Sequence, residues 1–148
     1  MRWYEINPVP ATPVLQRSGN IAATGYFLFN GAISPDRRAG GFGNSFVVNY
    51  NVVSKLNNVN PRIVVGSSVN GAPLSFNTII NSVAPYRDFS CPSSGDTCRW
   101  GDYSAASPDP NATLPGSGVV WGTNQFDCVA DPLTFFANWC TRIFAVTP

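Results

Sequence analysis

The stretch Ala32-Ile33-Ser34-Pro35-Asp36 occurs a second time, with small changes, as Ala105-Ala106-Ser107-Pro108-Asp109. The alignment continues without a gap, because residues 44–51 then fall on residues 117–124. Both of these following segments contain the β-branched and aromatic residues that are typical of strands. Each copy therefore reads as a strand, a Ser-Pro-Asp turn, a polar loop and a second strand.

A third pair of segments matches further along the chain, where Arg62-Ile63-Val64-Val65 aligns with Arg142-Ile143-Phe144-Ala145. The repeated unit covers approximately residues 26–80 and 99–146, within a chain that we interpret as one domain over residues 1–148. Repeated β-modules of this size usually stack around an axis or along a line. The sequence thus predicts an all-β fold in which two similar meanders pack together.

The composition supports β structure and excludes two classes of partner. Hydrophobic residues make up 44% of the 148 residues, and 13 glycines with 13 prolines indicate a chain rich in turns. The net charge of +1 gives no basic surface, so we expect no binding to nucleic acid. No apolar run approaches the length of about 20 residues that a membrane-spanning helix needs, so no membrane span is predicted.

Several local sequence features predict where strands end and where turns form. The strand that begins at Tyr26 is expected to end at Pro35, with Asp36 and Asp109 as turn formers. Asn70-Gly71 predicts a tight hairpin turn, because both residues accept positive φ. The proline-rich segment 7–20 is expected to be irregular or polyproline-like.

Small residues precede each Ser-Pro-Asp turn, as Gly31-Ala32-Ile33 in one copy and Ser104-Ala105-Ala106 in the other. Small side chains weaken a strand unless another element approaches it closely. The inner strands of a β-propeller converge on an axis, and crowding there favours small residues. The alternative is a β-sandwich in which these residues lie at a bend.

Some of these segments resemble a known family. Trp100-Gly101-Asp102-Tyr103-Ser104 and Val120-Trp121 are similar to repeat units of secreted bacterial β-propellers of the sialidase-like type. Ser34-Pro35-Asp36 and Ser107-Pro108-Asp109 resemble Asp-boxes, which have the pattern Ser-x-Asp-x-Gly-x-x-Trp in the turn of a blade hairpin. The glycine of that pattern is replaced in both copies, by Arg38 and Asn111.

The resemblance implies two propeller-like blades of antiparallel strands. Two blades cannot close a propeller and would leave open sheet edges, so we expect self-association, with a trimer as the first choice and a dimer as the second. A trimer would give six blades, as in certain small two-bladed lectins. The resemblance favours a secreted-type module for binding or assembly, with carbohydrate as the leading ligand class and another small molecule as the broader possibility.

The four cysteines lie in two local pairs, and the chain has no histidine. We predict disulfides between Cys91 and Cys98 and between Cys128 and Cys140, although sequence alone leaves three connectivities open. Disulfides indicate an oxidising compartment, so we expect an extracellular or periplasmic protein. Residues 1–6 lack the apolar segment of a signal peptide.

Candidate site residues follow from the repeat. It places Asp102 opposite Phe29 and Tyr103 opposite Asn30, at the mouth of the predicted inner strands. Without histidine the usual general base is missing, so any catalysis is assigned to Asp102, Tyr103 and Arg99. The structural alternative is that Asp102 and Asn30 only satisfy backbone groups at strand ends.

Two ligand hypotheses share this region. Trp100 and Trp139 lie near loops and are the predicted sugar-stacking residues, with Asn30 as a polar neighbour. No cofactor is certain, but Asp102, Asn30 and nearby carbonyls could hold Ca²⁺, which prefers oxygen ligands. Calcium would support the alternative function, a hydrolase of the phosphotriesterase, lactonase or glycosidase kind with an axial site shared between blades.

Overall fold

The computed structural model describes residues 1–9, 11–38, 41–86, 90–91, 98–111, 118–130 and 137–148. Within these ranges the chain forms nine β-strands and no helix, and every strand pairing is antiparallel. The predicted all-β class is therefore confirmed.

The strands form three sheets. The hairpin sheet contains β1 (Arg2–Asn7) and β2 (Val14–Asn20). The central sheet is a meander of β3 (Phe27–Arg38), β4 (Gly41–Ser54), β5 (Val59–Ser68) and β6 (Ser75–Asn81). The C-terminal sheet is a shorter meander of β7 (Ala105–Pro108), β8 (Val120–Ala130) and β9 (Ala137–Val146).

Strand β2 corrects the expectation that residues 7–20 are irregular. The prolines all precede β2, so its backbone N–H groups are free to pair with β1. Arg17 of β2 donates to Glu5 of β1 across 2.6 Å. Gly19 lies under the indole of Trp3, where a Cβ atom would come within 2.7 Å of the ring. Side-chain pairing across the hairpin thus outweighs the local proline content.

Strand β3 continues through the Ser-Pro-Asp motif instead of ending at Pro35, which corrects the predicted strand end. Pro35 pairs with Phe46, and its missing N–H is tolerated because β3 is an edge strand of the central sheet. The register shifts directly after Pro35 and places Asp36 in a bulge. Asp36 is fully buried, and its Oδ1 accepts the Ser45 N–H at 3.2 Å.

The second copy of the motif behaves differently from the first. Asp109 follows the end of β7, and its Oδ1 accepts the N–H of Asn111 at 2.8 Å, as expected of a turn former. Asp36, in contrast, is a buried acceptor inside a hairpin and not a turn residue. The Asn70-Gly71 turn is as predicted, with φ of 49° and 80° at the two residues.

Strands β3, β4 and β5 have the same order in their sheet as β7, β8 and β9, but the strand register differs from the ungapped sequence alignment by one residue. Ser34 pairs with Val47, whereas the equivalent Ser107 pairs with Trp121 and not with Val120. A slip of one residue turns a strand's side chains to the opposite face. Val47 is therefore buried at the interface between the sheets, while Trp121 points away and is 46% exposed.

The central and C-terminal sheets stack face to face, with β3 against β7 and β4 against β8. Asn49 contacts Asn124 and Asn51 contacts Gln125, so β4 and β8 run in the same direction. Strands β3 and β4 thus stack on β7 and β8 in the same order, and β4 and β8 run in the same direction. The apolar core of this interface contains Val47, Ile63, Val65, Val120 and Phe144.

The opposite face of the central sheet is also covered. Val48, Tyr50, Val52 and Val64 form a second buried cluster with Ile21, and Trp3 of the hairpin sheet packs against it. The ring centroids of Trp3 and Phe46 are 4.7 Å apart. The central sheet is therefore the middle layer of the molecule.

Buried amides join the two stacked sheets. We define the asparagine network as Asn30, Asn49, Asn51 and Asn124, of which the last three are fully buried. The Asn124 Nδ2 donates to Asn49 Oδ1 and to the Asn30 carbonyl, both at 3.0 Å, and Asn30 Nδ2 donates back to Asn124 Oδ1 at 2.9 Å. Asn49 and Asn51 donate to backbone carbonyls of the C-terminal sheet at 2.9 and 2.8 Å.

Both predicted disulfides are present, because Cys91 is bonded to Cys98 and Cys128 to Cys140. Two such bonds fit an oxidising compartment. In the part of the chain that the structure describes, no helix has the length and apolar character needed to cross a membrane.

The asparagine network generates a stability prediction. Asn124→Ala should lower the free energy of unfolding by about 2–3 kcal/mol, because it removes the amide that donates to the buried Asn49 Oδ1 and to the Asn30 carbonyl. Urea unfolding followed by circular dichroism measures this. Asn81→Ala, at an exposed position of β6, is the control and should cost less than about 0.5 kcal/mol. Equal effects of the two variants would contradict a structural role for the network.

Candidate aromatic binding site

Four aromatic side chains from separate parts of the chain meet beside the stacked sheets. We define the aromatic cluster as Phe29, Tyr86, Trp100 and Trp139. Trp100 and Trp139 are stacked, with ring centroids 5.5 Å apart and an interplanar angle of 29°. Tyr86 contacts both indoles edge-on at 5.0 and 5.1 Å, and Phe29 approaches Trp100 edge-on at 5.9 Å. The structure thus brings together the two predicted sugar-stacking residues.

The two indoles of the cluster are held differently. Trp100 is half-buried, and its Nε1 donates to Asn51 Oδ1 at 3.1 Å, which ties it to the asparagine network. Trp139 is 40% exposed, and its Nε1 donates to the hydroxyl of Tyr86. Trp100 therefore anchors the cluster, and Trp139 offers the accessible part of the stack.

Both disulfides lie next to the aromatic cluster. Cys98 is two residues before Trp100, and its sulfur is 3.8 Å from the carbonyl oxygen of Tyr86. Cys140 directly follows Trp139. A Cβ atom at Gly101 would overlap the Gln125 side chain and the Trp139 ring, so a larger residue at this position would displace both of them. Cross-links and close packing together fix the position of the rings.

A polar rim borders the cluster. Arg99 and Asp102 form an exposed ion pair with Nη2 and Oδ2 2.7 Å apart. The next residue, Tyr103, is 81% exposed. The three predicted catalytic residues are therefore neighbours at the surface, on the segment that carries Trp100. Their exposure suits hydrogen bonding to a solvent-borne ligand, and their assignment to catalysis stays a prediction.

Asn30, the predicted polar neighbour of the tryptophans, is engaged inside the protein. Its Nδ2 donates to the Tyr103 carbonyl at 3.3 Å and to Asn124 Oδ1 at 2.9 Å. Its φ of 51° lies in the left-handed region, at the register break of β3, and asparagine is one of the few residues that accept this conformation. The Asn30 side chain thus connects the first copy of the repeat to Tyr103, the residue that the alignment places at the same position in the second copy.

The calcium hypothesis stays a prediction. Among the described residues, no three or more His, Cys, Asp or Glu side chains are grouped so that they could hold a metal ion. The Asp102 carboxylate is paired with Arg99, so a cation that bound there would have to displace the guanidinium group.

Sequence reasoning missed two parts of this site. Tyr86 is not among the predicted site residues, and nothing in its local pattern shows that it contacts the tryptophans. Asn51 was missed as the partner of Trp100. A signal was available there, because asparagine is depleted in strands, yet Asn49 and Asn51 both interrupt the clearest strand of the sequence.

Comparison with known proteins identifies no similar protein. No protein-family model, curated protein or solved structure matches this chain. The site is therefore interpreted from its own chemistry.

The different anchoring of the two indoles predicts different costs of substitution. Trp100→Phe should lower the free energy of unfolding by about 1–3 kcal/mol, because the buried Asn51 Oδ1 then keeps only the longer hydrogen bond from Asn30 Nδ2, at 3.4 Å. Trp139→Phe should cost clearly less, because its ring is partly exposed and its partner Tyr86 can bind water instead. Urea unfolding of both variants provides the measurement. A larger loss for Trp139→Phe would show that the anchoring is assigned to the wrong indole.

Proposed function

We propose that the chain is a secreted-type β-propeller module that binds carbohydrate, with the aromatic cluster as its binding surface. The observation that carries the proposal is the stacked pair of Trp100 and Trp139, one ring anchored and the other 40% exposed, beside an exposed Arg99–Asp102 pair. Binding sites of this kind combine aromatic walls with a few polar groups that orient the ligand.

The chemistry of a sugar fits this surface. One face of a pyranose ring consists mainly of C–H bonds and packs against an indole, whereas its hydroxyl groups need donors and acceptors at the rim. Arg99 supplies donors only, Asp102 supplies acceptors, and Tyr103 supplies a hydroxyl that does both. Because the disulfides and Gly101 fix the rings before binding, little ordering entropy is lost when a ligand arrives.

The experiment is a titration with soluble oligosaccharides, maltohexaose, cellohexaose and chitohexaose, followed by tryptophan fluorescence and calorimetry. At least one should bind the parent protein saturably. Trp139→Ala should weaken that binding tenfold or more, which corresponds to about 1.4 kcal/mol. The expected loss is large because the exposed half of the stack is removed.

The matched control is Tyr4→Ala, which removes an exposed aromatic ring from the hairpin sheet. This variant should bind within twofold of the parent. Circular dichroism of each variant shows whether the fold is kept. Equal binding by Trp139→Ala and the parent, or no binding of any of the three sugars, would contradict the proposal.

Self-association belongs to the same proposal, and the stacking of the two copies supports it. Val47 and Val65 of the central sheet are 1% and 3% exposed because the C-terminal sheet covers them. In the strand pairing of the C-terminal sheet, Trp121 occupies the position of Val47, and Ile143 occupies the position of Val65. The side chains of Trp121 and Ile143 are 46% and 68% exposed. A further copy that placed its hairpin sheet against this outer face would cover Trp121 and Ile143, and three chains arranged in this way would contain six blades.

Light scattering of the purified chain at micromolar concentration tests the assembly. We expect a closed trimer as the first choice and a dimer as the second choice. Ile143→Lys should shift the population toward monomer, because it places a charge in the proposed contact. Leu56→Lys, at an exposed position of the turn between β4 and β5, is the control and should leave the mass unchanged. A parent protein that is a stable monomer would rule this part out.

A further inference from the structure

A groove crosses the face of the central sheet that looks away from the C-terminal sheet. It lies between the segment that follows β2 and strand β6, and its volume is about 430 Å³. Small-molecule sites usually have volumes of about 300–1,000 Å³, so the groove is large enough for a ligand. Its apolar lining comes mainly from Ile21, Leu28, Tyr50, Val52, Val64 and Phe76.

Among the described residues that line this apolar groove, Arg62 carries a charge. Arg62 is on β5, opposite Val52 and Asn81, and its side chain lines the groove beside Tyr50. The Arg62 Nε is buried and has no hydrogen-bond partner among the described residues. Arginine is always charged in proteins, and a buried donor of a charged group without a partner is costly. A negatively charged hydrogen-bond acceptor in the groove would therefore stabilise the Arg62 guanidinium group.

The neighbouring phenol is suited to the same acceptor. Burial raises the pKa of the Tyr50 hydroxyl above its ordinary value of 10.0, while the charge of Arg62 opposes that shift. The hydroxyl is therefore protonated at neutral pH and can donate a hydrogen bond. The other polar groups of the lining are neutral, from Asn20, Asn77 and Thr78. None of the described residues that line the groove is acidic, so none of them competes with an incoming anion for Arg62.

We propose that this groove is a second binding site, for a small amphipathic carboxylate whose head group meets Arg62 and Tyr50 and whose hydrocarbon chain lies along the apolar lining. A carboxylate offers the planar pair of acceptors that a guanidinium group binds best. A chain of roughly ten carbons gains hydrophobic stabilisation from the Ile21, Val52 and Val64 side chains. The site is independent of the aromatic cluster, because Tyr50 and Asn51 point to opposite faces of β4.

Sodium decanoate, below its micelle concentration, is the probe. Titration calorimetry should show saturable binding to the parent protein, and amide shifts in NMR spectra should concentrate at Ile21, Val64 and Thr78. Decyltrimethylammonium has the same chain length with the opposite charge and should bind at least tenfold more weakly. Equal binding of the two probes, or shifts spread outside the groove, would overturn the proposal. Absence of decanoate binding would overturn it as well.

Substitutions test whether Arg62 is the residue that binds the carboxylate. Arg62→Gln should weaken decanoate binding at least tenfold, whereas Arg142→Gln, which removes an exposed arginine from β9, should keep it within twofold. If Arg62→Gln does not fold, Ala22→Trp serves instead, because it fills the groove from an exposed rim position and leaves Arg62 in place. Unchanged affinity in the folded variant would contradict the assignment.

Discussion

The stacking of the two repeats depends on the buried asparagine network. Two sheets that face each other share no backbone ladder, and apolar contacts alone tolerate sliding by a fraction of a residue. Buried amides do not tolerate it, because each unpaired group costs about 1–3 kcal/mol. Asn49, Asn51 and Asn124 are fully buried and reach across to specific atoms of the opposite sheet. The network therefore fixes one relative position of the two meanders.

Both proposed binding surfaces take their geometry from alternate residues of β4. Asn51 points toward the C-terminal sheet and accepts the hydrogen bond of Trp100, which anchors the aromatic cluster. Tyr50, its neighbour in sequence, points to the other face and lines the groove with Arg62. Because a strand alternates its side chains between two faces, a strand in the middle layer contributes to a site on each side. The central sheet is thus the scaffold of both sites.

The sequence predicted the features that depend on local chemistry. The all-β class followed from composition, the Asn70-Gly71 turn from its tolerance of positive φ, and the disulfides from the short spacing of the cysteines. The features that depend on distant partners were missed or wrong. Strand β2 exists because β1 pairs with it, Asp36 is buried by a register shift, and Tyr86 reaches the tryptophans only through the fold. Within the site, the sequence identified Trp100 and Trp139 as candidate ligand-binding residues, but the stacking of their rings was not predictable.

The two copies of the repeat have different surroundings although they share a strand order, and this difference bears on where function can arise. Within a single chain, modules that stack in the same direction leave one face without a partner module, because each module covers only the one before it. The first copy is constrained on both faces, by the hairpin sheet and by the second copy. The second copy is constrained on one face, so its residues tolerate replacement by polar and exposed groups. The Arg99–Asp102 pair and Tyr103 stand where the first copy has Tyr26, Phe29 and Asn30, which pack inside the protein. A polar rim for a ligand is therefore most compatible with the second copy.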